Sequence, residues 1–276
     1  MKMNWRTWYS WKLNLRAMYE TIGNYHQREY AIANKHVGVA RWLYVPEKYW
    51  SVSMNAQFPA IHPDKYYYSV ANLDWKSAGC YYKIWRPNFV DSRCREAIRL
   101  KCNANFDEMA FGFDCAIDID SHDPSLSYQE NAAEASILAE KVAEYIDDIQ
   151  VPYILCYSGR GFSFRIPWDK QLDKVGDRFD VFWLMSDWVE SLKELTKSGT
   201  HAEIDNIMNQ EKRYTKVPYS LIVYPDMITY AKRITSDELD GFEVPEPRLL
   251  HGEHRDFDNA GNYDQFIEEL NELKKS

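Results

Sequence analysis

The sequence predicts an α+β fold in which mixed β-sheets are flanked by helices. Three observations support this fold class. Segments 28–34 and 37–45 alternate apolar and polar residues, as half-buried strands do. Segment 128–149 carries apolar residues at helical spacing, and Pro152 follows it. The mostly apolar run 111–119 is typical of a strand buried on both faces.

The remaining elements follow from the same patterns and from turn residues. The further predictions are a helix at 5–22 that ends at Gly23, a strand at 66–73, a helix at 91–102, a strand at 153–158, a helix at 179–196, an irregular to β region at 205–245 and an amphipathic helix at 266–275. The sequence contains no internal repeat and no obvious interdomain linker. We therefore expect a single domain over 1–276, with a C-terminal helical tail at 262–276.

Composition argues against several classes of protein. The formal net charge of −9 disfavours a broad nucleic-acid-binding face. No run approaches the roughly 20 apolar residues of a membrane-spanning helix, and residues 1–20 contain no apolar signal core. Five cysteines without a Cys-x-x-Cys spacing favour reduced thiols. We expect a cytoplasmic protein, or a nuclear one in a eukaryotic host.

Asp118 and Asp120 stand at the carboxyl end of the apolar run 111–119. Residues two apart on a strand point to the same side, roughly 7 Å from each other. Two carboxylates held that close repel each other. The pattern therefore indicates either a cation between the two groups or a pair that serves acid–base chemistry.

Three further features favour the cation. Segment 158–161 is a Ser-Gly-Arg-Gly turn, whose glycines let backbone N–H groups approach an anion, although alone it is more typical of an ordinary hairpin. Arg165 adds positive charge after it. Asp205 offers a third carboxylate, and segment 212–225 combines basic residues with a Pro-anchored turn. Three acids flanked by bases and turn amides are typical of a two-metal site that handles triphosphates.

The order of these motifs resembles the catalytic small subunit of archaeal and eukaryotic DNA primase, in the archaeo-eukaryotic primase superfamily. Asp118-Ile119-Asp120 matches the acidic motif of that family, and 158–161 matches its Ser-Gly-basic-Gly turn. Ile204-Asp205 and the segment 216-KVPYSL-221 match its later motifs. Upstream, 27-QREYAIA-33 matches its Arg-Glu-aromatic motif. The similarity runs from about residue 20 to residue 224.

The resemblance implies a fold, an activity and a set of site residues. It implies a primase-type catalytic domain that makes or extends primers on single-stranded DNA from nucleoside triphosphates. The implied ligands of Mg²⁺ or Mn²⁺ are Asp118, Asp120 and Asp205. The implied nucleotide-binding residues are Glu29, Arg41, Lys65, Ser158, Gly159, Arg160, Ser163, Arg165, Lys216 and Ser220, with Arg213 as the alternative to Lys216. It also implies a large primase subunit as partner, and the N-terminal helix or 266–275 is a candidate docking face.

The sequence departs from the family at three points. Ser163 and Ile222 occupy the positions of two phosphate-binding histidines, and each lost charge-assisted hydrogen bond is worth about 1.5–3 kcal/mol. Arg165, on the same strand face as Ser163, is expected to compensate in part. Segment 121–152, where the family usually carries a zinc knuckle, contains no cysteine. No zinc is therefore predicted.

Several alternatives remain open at the level of sequence. Glu203 or Asp226 are alternatives to Asp205 as the third acid, and Glu29 and Arg41 could form an ordinary cross-strand ion pair. The chain could also be a non-catalytic, primase-like subunit that binds nucleotide or DNA. A third possibility is a repair polymerase of the end-joining type, which extends existing termini without starting chains.

Overall fold

The computed structural model of the protein describes residues 8, 17–22, 24–34, 38–43, 66–74, 81–84, 98–101, 105–198, 201–224, 227–247 and 262–275. The chain forms two compact units, each built from separate stretches. Unit 1 comprises Met1–Phe111, Tyr214–Thr229 and Pro247–His254, and unit 2 comprises Gly112–Arg213, Tyr230–Glu246 and Arg255–Ser276. The mixture of helices and antiparallel sheets confirms the predicted α+β class.

The strands are short and are spread along the whole chain. They are β1 Glu29–Asn34, β2 Gly38–Leu43, β3 Tyr66–Ser69, β4 Ala71–Leu73, β5 Tyr81–Ile84, β6 Ile98–Lys101, β7 Ala110–Phe113, β8 Cys115–Ser121, β9 Ile154–Tyr157, β10 Gly161–Ile166, β11 Ala202–Asp205, β12 Tyr214–Lys216, β13 Leu221–Val223, β14 Ile228–Tyr230 and β15 Arg233–Ile234.

Among the described residues, most of the α-helices belong to unit 2. They are α1 Phe106–Met109, α2 Tyr128–Asp148, α3 Arg178–Ser191 and α4 Asp264–Leu273, and residues 17–20 are also helical. Shorter 3₁₀ segments lie at Tyr25–Gln27, Lys170–Lys174, Leu192–Ser198 and Ser236–Glu238. Within the described residues, no helix is both long and apolar enough to cross a bilayer.

Unit 1 contains a four-stranded antiparallel sheet in the order β12-β3-β1-β2. The adjacent β1 and β2 confirm the two strands predicted at 28–34 and 37–45. Aromatic side chains pack beside the sheet, with the rings of Tyr19 and Tyr30 edge to face at 5.2 Å. Trp8 is fully buried, and its indole N–H donates to the carbonyl of Tyr219 at 2.8 Å. The described part of the N-terminal segment is thus packed inside unit 1.

Two predictions for unit 1 need correction. The predicted strand at 66–73 is two strands that are interrupted at Val70, whose carbonyl accepts a hydrogen bond from the buried Arg28 guanidinium at 2.9 Å. The predicted helix at 91–102 is wrong over its described part, because 98–101 is β6, paired antiparallel with β5. Its Ile-Arg-Leu-Lys sequence alternates with period two, as a strand requires. Residues 91–97 of that prediction lie outside the described residues.

Unit 2 is built on a five-stranded antiparallel sheet in the order β11-β8-β10-β9-β15. One face of this sheet is apolar and buried. Its members include Ile117, Ile119, Phe162, Phe164 and Ile204, each at most 3% exposed. Helix α2 contacts β8, β10 and β11 on this face. Burial of these side chains under α2 supplies the hydrophobic free energy that holds unit 2 together.

The helices confirm the strongest helix predictions. Segment 128–149 corresponds to α2, which begins with a capping box in which Ser127 and Glu130 satisfy each other's backbone N–H groups. Segment 179–196 corresponds to α3 and the 3₁₀ turn that follows it. Strong apolar periodicity and good caps explain why both could be predicted from sequence.

The C-terminal helix α4 packs inside unit 2. Phe266 is fully buried, and its ring lies 4.9 Å from that of Trp188 on α3. The carboxylate of Glu269 accepts hydrogen bonds from the indole N–H of Trp188 and from the hydroxyl of Tyr145 on α2. Burial and this contact raise the pKa of Tyr145 well above its usual range. The apolar face of 266–275 therefore packs on α3 within this unit.

The Asp-x-Asp strand differs in detail from the prediction. The run 111–119 is divided at Asp114 into β7 and β8, and β8 continues to Ser121. The Asp114 carboxylate is buried, where it accepts hydrogen bonds from the backbone N–H of Trp168 at 3.0 Å and from Arg165 at 2.7 Å. A buried carboxylate needs such partners, and the break in the strand provides room for them. Asp118 and Asp120 thus lie within the second half of a strand.

Candidate active site

Strand pairing brings the acidic residues of unit 2 onto one face of the five-stranded sheet. The register of β8 and β11 pairs Asp118 with Asp205 and Asp120 with Glu203. Side chains directly opposite in an antiparallel pair share a face, with Cβ atoms roughly 5 Å apart, and residues two apart on a strand share it as well. These four residues, which we call the carboxylate face, therefore point away from the apolar face under α2.

The Ser-Gly-Arg-Gly turn joins β9 to β10, and β10 borders the carboxylate face on its other side. The register places Ser163 opposite Asp118 and Gly161 opposite Asp120. The Ser158 N–H donates to the carbonyl of Gly161 at 2.9 Å, which closes the turn. The hairpin that the sequence predicted thus lies beside the two acids of the Asp-x-Asp motif.

Both glycines of this turn are needed by the hairpin itself. Gly159 has a φ of 131°, a backbone conformation that other residues rarely adopt. A Cβ atom added at Gly161 would lie 1.7 Å from the carbonyl oxygen of Ile119 on β8, which is an impossible contact. The hairpin itself therefore accounts for both glycines, which is the interpretation that the turn sequence alone favours. An anion-binding role for them stays a prediction.

A cavity of about 610 Å³ opens beside the carboxylate face. Its volume is typical of sites for small molecules. Its lining residues are Asp120, His122, Asp123, Pro124, Lys193, His201, Glu203, Ile204 and Asp205. Four carboxylates against one lysine give it a negative potential at neutral pH, so it attracts cations and repels free phosphates.

Hydrogen bonds keep two carboxylates in and beside this cavity ionised. The side chain and the backbone N–H of Ser125 both donate to Asp123, and these bonds hold the pKa of Asp123 below its ordinary value. The ammonium of Lys193 lies 2.8 Å from the Glu190 carboxylate and lowers the pKa of that group. The lysine of the cavity therefore already has an acidic partner on α3.

His122 and Arg160 link the Asp-x-Asp strand to the hairpin turn. His122 Nε2 lies 3.6 Å from Asp120 Oδ2, and its Nδ1 lies 3.3 Å from an Arg160 nitrogen. The Arg160 guanidinium also lies over the ring of Tyr128, 5.6 Å from its centroid, a cation–π geometry. His122 thus lies in the loop that follows β8, at the cavity and between an acid and the arginine of the turn.

Asn131 on α2 holds the loop that follows Asp120, and sequence reasoning missed it. Its side-chain oxygen accepts from the Ser121 hydroxyl at 2.8 Å and from the Asp123 N–H at 3.0 Å. Its side-chain nitrogen lies 3.0 Å from the carbonyl of Asp123 and also donates to the carbonyls of Leu126 and Ser127. The buried amide therefore fixes the loop that carries His122 and Asp123. A lone asparagine in a helix gives no sequence signal for such a role.

Arg165 does not lie free beside Ser163 as the sequence had suggested. It is 3% exposed, and its guanidinium forms a 2.7 Å ion pair with the buried carboxylate of Asp114. Removing one partner of such a pair leaves an uncompensated buried charge. Arg165 is therefore held in the core of unit 2. This arrangement does not support the expectation that Arg165 compensates for the missing histidines.

Glu29 and Arg41 lie on neighbouring strands of unit 1. The register of β1 and β2 pairs Glu29 with Leu43 and Arg41 with Ala31. The two residues are thus offset by two positions in the register and are not direct partners. Their assignment to a nucleotide pocket stays a prediction.

The other residues predicted to bind nucleotide are divided between the two units. Lys216 lies on β12, opposite Tyr67 of β3, in unit 1. Ser220, also in unit 1, is fully buried, and its hydroxyl has no hydrogen-bond partner among the described residues. Arg213 belongs to unit 2, where its Nε donates to the Asn209 side chain at 3.0 Å. Lys65 lies outside the described residues.

The two positions where the resembling family carries histidines are buried here. Ser163 is 6% exposed and Ile222 is 2% exposed. Neither side chain can therefore serve as an exposed phosphate donor in place of the histidine. This departure is the feature of the site that argues most strongly against efficient triphosphate binding.

The carboxylate face suits a hard divalent cation by the chemistry of its donors. Mg²⁺ and Mn²⁺ prefer oxygen ligands, and all four members supply carboxylate oxygens. The four residues fit such a cation in the type of their donor atoms and in their positions on neighbouring strands. Within the described residues, no three His, Cys, Asp or Glu side chains converge closely enough to hold a metal ion.

No protein-family model matches the chain, and no curated protein matches it. The resemblance to the primase family therefore rests on the sequence motifs alone.

Proposed function

We propose that the chain is a template-directed nucleotidyltransferase that makes or extends primers on single-stranded DNA. The observation that carries this proposal is the carboxylate face. Asp118, Asp120 and Asp205 come from two strands that are far apart in sequence, yet they share one face of one sheet. Asp120 and Asp205 also line the cavity. Acids gathered in this way repel one another, and bound cations would offset that repulsion.

Asp118, Asp120 and Asp205 would hold Mg²⁺ or Mn²⁺. When bound, such a cation neutralises phosphate charge and lowers the pKa of the attacking hydroxyl. Glu203, paired with Asp120, is the alternative third acid. The protein's own contribution is to hold these carboxylates on a rigid antiparallel sheet, where backbone hydrogen bonds fix their spacing.

Arg160 is the basic residue best placed to meet phosphate at this site. It is half-buried at the turn between β9 and β10, and it lies next to His122 at the cavity. A guanidinium there offers planar, charge-assisted hydrogen bonds to phosphate oxygens. Its contact with Tyr128 stiffens the side chain and reduces the entropy lost on binding.

The test is primer synthesis on single-stranded DNA by Asp118→Asn and Asp120→Asn. Each substitution keeps the side-chain shape and removes the charge, so we expect activity to fall by about 10³-fold or more while the melting temperature stays within a few degrees. Glu144→Gln, an exposed acid on α2, is the matched control and should keep full activity. Full activity in both Asp variants would overturn the proposal.

We also propose that the chain relies on a partner, such as a large primase subunit, for its grip on template. The net charge is −9, and each phosphate contact to a single strand needs a base and adds about 0.7 to the salt slope of binding. The affinity of the purified chain for single-stranded DNA at two salt concentrations tests this. Sub-micromolar binding at physiological salt with a steep salt slope would contradict it.

A second candidate is a non-catalytic subunit that binds nucleotide or DNA. The burial of Ser163 and Ile222 at the two histidine positions favours it. Metal-dependent nucleotide binding without incorporation, tested with both Mg²⁺ and Mn²⁺, would support this candidate over the enzyme.

A further inference from the structure

An exposed tryptophan lies in the middle of the outer face of α3. Trp183 is 45% exposed, a level that few large apolar side chains of the described residues reach. Its ring meets that of Phe182 edge to face at 5.1 Å, and almost half of its surface is open to solvent. An exposed indole does not gain the favourable free energy that its burial would release, and tryptophan is enriched at binding hot spots.

Acidic residues flank this tryptophan along the helix. Asp180 and Asp187 stand one turn before and one turn after it, at i−3 and i+4, and both are exposed. Asp177 and Glu190 extend the same stripe. They already have basic neighbours, because Asp177 lies 3.5 Å from Arg178 and Glu190 lies 2.8 Å from Lys193.

The two acids nearest the tryptophan differ from those at the ends. In the described part of the chain, no salt bridge involves Asp180 or Asp187. Lys274, which follows α4, lies near the N-terminal end of α3, where its ammonium donates to the carbonyl of Val175 at 2.7 Å. The centre of the stripe therefore combines one exposed indole with two carboxylates.

We propose that this face of α3, defined by Asp180, Trp183 and Asp187, docks an arginine-bearing segment of another protein. A guanidinium stacks on an indole and is attracted by its π-electrons. Neighbouring bases of the same segment meet the two aspartates, which are about 10 Å apart along the helix axis. The charge of the face selects a basic protein segment and repels nucleic-acid phosphates.

The inference is independent of the nucleotidyltransferase proposal, because it uses no residue of the carboxylate face. A second copy of the chain is disfavoured as the occupant. In a twofold contact the same acids would face each other across the interface, and like charges placed together weaken association.

The test uses a fluorescein-labelled helical peptide with arginines at i, i+4 and i+7, and fluorescence anisotropy measures its affinity for the full chain. We expect Trp183→Ala to weaken binding about tenfold, as a hot-spot residue does. Ile137→Ala on α2 is the matched control, because Ile137 is also 45% exposed on a helix with acidic neighbours. It should change the affinity less than about twofold.

Two further comparisons sharpen the test. A peptide with lysine in place of every arginine should bind more weakly to the wild type, because lysine does not stack as guanidinium does. Asp187→Asn should weaken binding and reduce its dependence on salt. Equal losses of peptide affinity in Trp183→Ala and Ile137→Ala, or no loss in Trp183→Ala, would show that the peptide binds only through nonspecific charge attraction. Either result would overturn the proposal. Self-association that depends on Trp183, seen by sedimentation, would overturn it in favour of a second copy.

Discussion

The two faces of the five-stranded sheet in unit 2 differ sharply in composition, because one is apolar and buried and the other carries four carboxylates. Along β8, Ile117 and Ile119 point under α2, while Asp118 and Asp120 point the other way. The alternation of side chains along a strand makes this possible, because each change of one position moves a residue to the opposite face. Substitutions on the apolar face should therefore affect folding, and those on the carboxylate face should affect activity.

The largest expected effect on stability comes from the apolar face. Phe164 of β10 is fully buried, and its ring lies 5.6 Å from that of Tyr153. Phe164→Ala should lower the free energy of unfolding by about 3–5 kcal/mol, because it removes buried surface and leaves a cavity. Chemical denaturation measures this. Ser163→Ala, one residue away on the opposite face, is the control and should cost less than about 1 kcal/mol. Equal costs would contradict the division between the faces.

A second prediction concerns the glycine that lets the hairpin approach β8. Gly161→Ala places a methyl group 1.7 Å from the carbonyl oxygen of Ile119, so β8 and β10 must separate. We expect a loss of about 1–3 kcal/mol, the range for overpacked sites, measured by thermal and denaturant unfolding. Gly241→Ala is the matched control: its φ is 62° and no atom lies within 4 Å of the added methyl, so only the backbone strain of about 1 kcal/mol applies. A smaller effect at Gly161 than at Gly241 would contradict the contact.

The sequence alone could predict most of the helices and the paired acids of the motif. The helix at 128–149 has strong periodicity and a capping box, and Asp118 and Asp120 share a face by strand geometry alone. The pairing of Asp120 with Glu203 could not be predicted, because the register of β8 with β11 depends on packing between distant segments. The helix predicted at 91–102 is wrong at 98–101, its described part, for a local reason: a strand of four residues is too short for its alternation to stand out from its surroundings.

The smallest expected effect on stability comes from the loop that joins β8 to α2. Asn131→Ala removes the amide that fixes residues 121–127, and we expect a loss of about 1 kcal/mol, because water can reach this loop and replace part of the bonding. Amide hydrogen exchange in 121–127 should accelerate more than exchange in the strands. Ser136→Ala, which removes a single hydrogen bond within α2, is the control and should leave that loop unchanged. Unchanged exchange in Asn131→Ala would show that the loop is held by other contacts.

The central claim is that the carboxylate face binds a divalent cation, and electron paramagnetic resonance of Mn²⁺ tests it without relying on activity. In the presence of a non-hydrolysable nucleoside triphosphate, the wild-type chain should remove free Mn²⁺ from solution. Asp118→Asn and Asp120→Asn should weaken that binding at least about tenfold, since each removes an anionic ligand. Glu144→Gln should bind like the wild type. Equal Mn²⁺ binding in the wild type and in both Asp variants, or none in the wild type, would contradict the account.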